Sequence, residues 1–134
     1  MNKLFRKQNL LYSLLSAVLI IFTQCSGSVD NQLKKIAKEA TEKCPIMLDK
    51  WTRLDSCAAL PGRTYKYYHT IQELEVTDTT LFKTQFEPQI LSLVKMSPDM
   101  KFFRENEVSL LYQYNDQNKK YLFTISINPD QYKK

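Results

Sequence analysis

The chain has 134 residues, 43% of them hydrophobic and 25% charged, which suits one folded domain and not a disordered segment. Only two residues are glycine, and no G-x-G-x-x-G or G-x-x-x-x-G-K pattern occurs. Loops that cradle phosphate by close backbone approach are thereby excluded. Of the net charge of +5, residues 1–25 supply Lys3, Arg6 and Lys7 with no acid. The 16 basic and 14 acidic side chains that remain are scattered and form no basic stripe, so no nucleic-acid partner is expected.

The N-terminus has the layout of a secretory signal. "MNKLFRK" is a positive opening, residues 10–22 are an apolar run of 13, and "TQCSGS" follows with small and polar residues. A membrane-spanning helix needs about 20 apolar residues, so this run is too short to serve as a permanent span. The expected organisation is a signal peptide over 1–25 and a single domain over 26–134. Cys25 occupies the place of a lipidated cysteine, and Ser26-Gly27-Ser28 would be a short tether. The preceding Phe22-Thr23-Gln24 departs from the usual Leu-small-small pattern at Phe22 and Gln24. Ordinary cleavage after Cys25, Gly27 or Ser28 is the alternative. Either route places the protein in the periplasm or cell envelope, attached to the membrane through a lipid anchor if Cys25 is acylated.

In the mature chain, "SVDNQLKKIAKEATEK" reads as a helix. Asp30 is its expected cap, Leu33, Ile36, Ala37 and Ala40 form one apolar face, and Pro45 forces a stop near Lys43. Residues 51–60 have strand character and Pro61-Gly62 is a turn signal. In 64–71, Tyr65, Tyr67, His69 and Ile71 alternate with Thr64, Lys66, Tyr68 and Thr70, the period of a half-buried strand. The alternation fails after Ile71, near Gln72. "DTTLFKTQFEPQILSLVKM" predicts the main helix, capped by Asp78 or a neighbouring Thr. Its stripe is Phe82, Phe86, Ile90, Leu93 and Val94, and Pro88 should kink or split it. "SPDMKFFREN" opens a second short helix, with Ser97 as cap, Pro98 at the first position, and Met100 and Phe103 docking on the core. Val108, Leu110, Tyr112 and Tyr114, then Tyr121, Phe123, Ile125 and Ile127, make the two strands of a hairpin. Pro129 ends it and leaves "DQYKK" as a tail.

The expected fold is therefore α+β: a four-stranded, mostly antiparallel sheet from two hairpins, in the order α-β-β-α-β-β, with a short second helix before the last hairpin. Helices would cover one face of the sheet and leave the other partly open.

Cys44-Pro45, Asp49, Thr52, Leu54-Asp55 and the turn leading to Tyr67 form a pattern, with "FEPQI" and "FFRENEVSLLYQY" further on. These stretches resemble a family of small exported bacterial proteins of unknown function, and the likeness covers most of the mature chain. It implies an exported α+β domain and supplies no catalytic residues. Position 69 would be Tyr in that pattern, which speaks against a catalytic His69.

Few residues carry chemistry. Cys44 and Cys57 form an even pair once Cys25 is removed or acylated. No turn signal between them brings them together, and two small buried thiols are the expected state. Cys57 and His69 could meet across the first hairpin as a thiol–base dyad, the one catalytic alternative, against the plainer reading of His69 as a strand residue among tyrosines. One histidine and two cysteines lack metal-ligand spacing, so neither metal nor cofactor is expected. Asp49 with Asp55, or Glu73 with Glu75, are carboxylate pairs that nothing ties to a pocket. The open sheet face would carry Lys66, Tyr68, Thr70, Leu111, Gln113, Leu122 and Thr124, a surface able to receive a protein partner of the envelope. The sequence thus points to a tethered, non-catalytic binding or accessory protein. A small secreted hydrolase or thiol enzyme using Cys57 and His69 is one alternative, and an inhibitor or immunity-type protein is another.

Overall fold

The computed structural model describes residues 28–133. The signal peptide expected over 1–25 and the Cys25 lipidation site lie outside the described residues. A helix over 28–42 (α1) is followed by β1 (Ile46–Met47), β2 (Thr52–Leu60), β3 (Thr64–Ile71) and α2 (Thr79–Met96). A 3-10 turn (Pro98–Met100) then runs into α3 (Lys101–Glu105), β4 (Ser109–Asp116), β5 (Tyr121–Ile127) and α4 (Pro129–Tyr132).

The class is α+β, but the sheet departs from expectation in two respects. It has five strands, in the order β1-β2-β3-β4-β5, and it is mixed. The additional strand, β1, is two residues long and pairs Ile46 with Leu54 and Met47 with Arg53; so short a strand has no period to read. The two expected hairpins are present, and they meet in a parallel pairing of β3 with β4, Tyr67 beside Tyr112 and His69 beside Tyr114. Parallel neighbours need a long crossover, which the stretch from Gln72 to Val108 provides with its helices. β3 ends at Ile71, where its alternation fails before Gln72, and the register irregularities lie in other strands. One lies between Leu54 and Ser56 of β2, another between Tyr114 and Asn115 of β4.

α1 buries Val29, Leu33 and Ala37 against the sheet. Asp30 lies inside this helix and is not its cap; its Oδ1 accepts the backbone N–H of Arg63 at 2.9 Å, docking the Pro61–Arg63 turn on α1. That turn requires Gly62 at φ +77°, where a side chain would be strained. In α2, Asp78 Oδ1 caps by accepting from the Leu81 N–H at 3.0 Å. The helix runs through Pro88 without a break. The carbonyl freed by the missing N–H belongs to exposed Thr84, where water can satisfy it. Phe82, Phe86 and Ile90 are half-buried and Val94 is fully buried, but Leu93 turns to solvent and Leu91 packs in its place. Ser97 caps the 3-10 turn, and Met100 and Phe103 are buried as expected. Arg104 donates to the Val94 and Ser97 carbonyls at 2.7 Å each, closing the C-terminal end of α2.

The core is an aromatic ladder on the helix-facing side of β3, β4 and β5. Ring centroids lie 4.8 Å apart for Tyr67–Tyr112, 4.8 Å for His69–Tyr114 and 4.9 Å for Tyr114–Phe123, all stacked. Tyr121, expected on this face, is exposed because the β4 irregularity shifts its register to Asn115. The expected tail is also structured. Asn128 N–H bonds to Gln131 Oε1 at 2.7 Å at the start of α4, and the buried Tyr132 hydroxyl donates to the Val108 carbonyl at 2.9 Å.

Candidate functional site

The structure holds Cys57 and His69 in different surroundings. Cys57 stands opposite Tyr67 in the β2–β3 ladder, while His69 stands opposite Leu54 beyond the irregularity. His69 is buried, its Nδ1 donating to the Gln113 carbonyl at 3.2 Å and its ring stacked on Tyr114. Burial lowers its pKa, against an opposing pull from that carbonyl and from the Asp55 charge. Burial raises the Cys57 thiol, and the Tyr65 hydroxyl beside it offsets this only in part. A catalytic thiolate needs the opposite, a depressed pKa beside a base, and the ladder sets Cys57 against Tyr67 and not against His69. Cys44 and Cys57 are both free thiols, and Cys44 is half-buried where full burial was expected.

Of the carboxylate pairs, Asp49 and Asp55 are each taken up by local bonds. Asp49 Oδ1 accepts the N–H groups of Trp51 (2.7 Å) and Thr52 (2.8 Å) in the β1–β2 turn. Asp55 is held by Arg53 Nε at 2.5 Å and by the Thr70 hydroxyl at 2.6 Å. Glu73 and Glu75 are exposed on a connection that is not a strand. They rim a polar cleft of about 490 Å³ with Asp116, Lys120 and Leu122. Asp116 Oδ1 is itself occupied by the Asn118 and Lys120 N–H groups. Among the described residues no group of three His, Cys, Asp or Glu could hold a metal ion.

On the open sheet face several of the expected residues engage one another, beside a cleft of about 360 Å³ lined by Arg53, Asp55, Ser56, Tyr68, Thr70 and Asn115. Lys66 Nζ lies 4.9 Å over the Tyr68 ring, Thr70 is buried against Asp55, and Gln113 donates to Asn115. Leu111, Leu122 and Thr124 are half-buried.

A second surface was passed over in the sequence reading. Around the β1–β2 turn, Ile46, Met47, Leu48 and Trp51 are 38%, 50%, 55% and 44% exposed, four large apolar side chains within six residues. Beside them a cleft of about 170 Å³ is lined by Leu48, Phe86, Gln89, Ile90 and Tyr114, joining the turn to α2. The turn is fixed by Asp49, whose side chain closes on the Trp51 and Thr52 N–H groups. Burial works upward on the Asp49 carboxyl, yet these bonds prevail and hold it below the ordinary range. The signal that could have found it is an Asp able to form such a turn inside an apolar run, "IMLDKW".

Fold and surface together define a small α+β domain, its helices laid on one side of a mixed sheet and an apolar turn at the sheet margin. The chain belongs to the family described as Domain of unknown function (DUF8479), whose model matches residues 28–123. Comparison with curated proteins returns no match. Three solved structures share the fold. A candidate secreted protein from Pseudomonas aeruginosa aligns with a TM-score of 0.66 at 11% identity, covering 80% of this chain and 95% of that one. The type II secretion system pilotin AspS from Vibrio cholerae aligns at 0.64 and 10% identity, covering 82% and 97%. The pilotin EpsS from the Vibrio vulnificus type 2 secretion system aligns at 0.62 and 9% identity, covering 81% and 96%. At such identities the likeness is one of fold.

Proposed function

We propose that this protein is an exported, non-catalytic accessory protein of the bacterial cell envelope, tethered through acylated Cys25, that binds an apolar segment of an envelope protein partner. One observation carries the reading: the run of exposed apolar side chains at Ile46, Met47, Leu48 and Trp51, continued by the cleft against Phe86 and Ile90. Solvent-facing apolar clusters of this kind mark interaction surfaces. A fold shared with two secretion-system pilotins supports an accessory role at a secretion apparatus. No helix among the described residues is long and apolar enough to cross a membrane, so attachment falls to the N-terminus in this reading.

A photo-crosslinking residue placed at Leu48 or at Leu111 in intact cells tests the surface. Adducts with one envelope protein from position 48, absent from position 111, are expected. Adducts from 111 alone would move the site to the open sheet face, and none from either would overturn the binding reading. Mass spectrometry of the mature protein tests the tether: an acylated N-terminal Cys25 is expected, and an unmodified terminus after Gly27 or Ser28 would overturn it.

A further inference from the structure

We infer that Cys44 and Cys57 are built as a disulfide-forming pair that fastens the β1–β2 turn to the end of α1. The inference rests on strand register and side-chain contacts, independently of the binding reading. In the ladder between β1 and β2, Ile46 faces Leu54 and Met47 faces Arg53. The pairing ends at Ile46, two residues after Cys44, so the chain at Cys44 enters beside the stretch of β2 that follows Leu54 and leads to Cys57.

Thr41 supports the same placement from the helix side. Its hydroxyl accepts the Cys57 N–H at 2.9 Å and donates to the Cys57 carbonyl at 3.0 Å, so the last turns of α1 sit against Cys57. The Cys44 N–H bonds to the Thr41 carbonyl at 3.0 Å, one step from this contact. The Cys44 thiol is directed to the Ala40 carbonyl at 3.3 Å, a weak sulfur bond that one side-chain rotation releases. Cys44 also lies near enough to Cys57 that its charge contributes to raising the Cys57 thiol, though burial is the larger cause.

Neither thiol is activated, so the pair is a structural acceptor of oxidation and not a catalyst. The half-buried Cys44 thiolate attacks the disulfide of an oxidised dithiol protein. A Cys44 mixed disulfide forms and the first oxidant sulfur leaves as a thiol. The Cys57 thiolate then attacks the Cys44 sulfur, the second oxidant sulfur leaves, and two electrons and two protons end on the oxidant. The resulting ring encloses residues 44–57, with Ile46, Met47, Leu48 and Trp51 inside it. Oxidation would hold that surface in one conformation.

The full-length protein is expressed with its own signal, and the envelope fraction is denatured in N-ethylmaleimide without reductant. The expected result is no maleimide on Cys44 or Cys57 and a linked pair of tryptic peptides, 44–50 with 54–63; reductant should restore two labelled thiols. Labelling of both cysteines without reductant, or linkage of either one to another molecule, overturns the inference. A second arm separates this from any failure of export. Reduced protein from the cytoplasm is exposed to oxidised glutathione: an internal link is expected in wild type, and Cys44→Ala should leave Cys57 unlinked and alkylated only after denaturation. Stable glutathione adducts on both cysteines of the wild type, with no internal link, would refute the pairing.

Discussion

Between β3 and β5 the helix-facing positions hold rings stacked across the ladder, and beneath them Leu110, Ile125 and Ile127 are sealed from water. From Ile46 to Trp51, at the far side of the same sheet, apolar side chains of similar size stand in solvent. The aromatic side has neighbours for every large residue and should set stability. The turn side has an ordered backbone, fixed by Asp49 and by the Gln72 N–H bond to the Trp51 carbonyl at 2.7 Å, but few partners for its side chains. Order without packing is what a surface awaiting a partner requires, since little conformational freedom is left to lose on binding.

Substitutions can break this contrast. Leu110→Ala should have the largest effect, about 2–5 kcal/mol of lost stability, because it empties a fully enclosed position; urea unfolding measures it. Thr41→Val keeps the shape of the side chain but strips both hydrogen bonds from Cys57, and a loss of about 1–3 kcal/mol is expected by the same method. Tyr132→Phe should cost about 0.5–1.5 kcal/mol, since its hydroxyl, which burial pushes up to about 12 in pKa, holds the Val108 carbonyl. Trp51→Ala should change stability by no more than about 0.5 kcal/mol while abolishing crosslinks from position 48. A Trp51→Ala protein that unfolds like Leu110→Ala would erase the distinction between the two regions.

The buried histidine sharpens the same comparison through pH. Desolvation depresses the folded-state pKa of His69 below its unfolded value of about 6.5. The unfolded chain therefore takes up a proton first as pH falls. The stability associated with neutral His69 is complete above the unfolded pKa and declines as pH drops through it toward the folded value. Urea midpoints measured from pH 7.5 down to 5 should fall, and His69→Gln should flatten that fall. An identical slope in the variant would place the titration elsewhere.

How much was legible follows the length of each pattern. β3, β4 and β5 could be read because Tyr65 to Ile71, Val108 to Tyr114 and Phe123 to Ile127 alternate over several residues, and only one face can be buried. α2 was legible from its stripe, apart from Leu93, which lies at the stripe's edge and lost its place to Leu91. β1 was not legible, because two residues cannot show a period. The parallel β3–β4 pairing was hidden as well, since it depends on where the long connection returns and not on either strand's own sequence. The open-face candidates were found by parity alone, and parity says nothing of the Asp55–Thr70 and Gln113–Asn115 bonds that occupy the face. The Cys57–His69 alternative rested on hairpin proximity, but in the ladder Cys57 faces Tyr67, two residues from His69, and the His69 Nδ1 is engaged by the Gln113 carbonyl.

The contact of Thr41 with β2 has a consequence for self-association. Sheet margins invite foreign strands because their amides and carbonyls are spare. Here a single hydroxyl, delivered by a helix that must lie there anyway to cover Leu33 and Ala37, occupies the outward donor and acceptor of Cys57 at once. A strand arriving from another molecule would find that rung already taken, and could add only by prying the helix away.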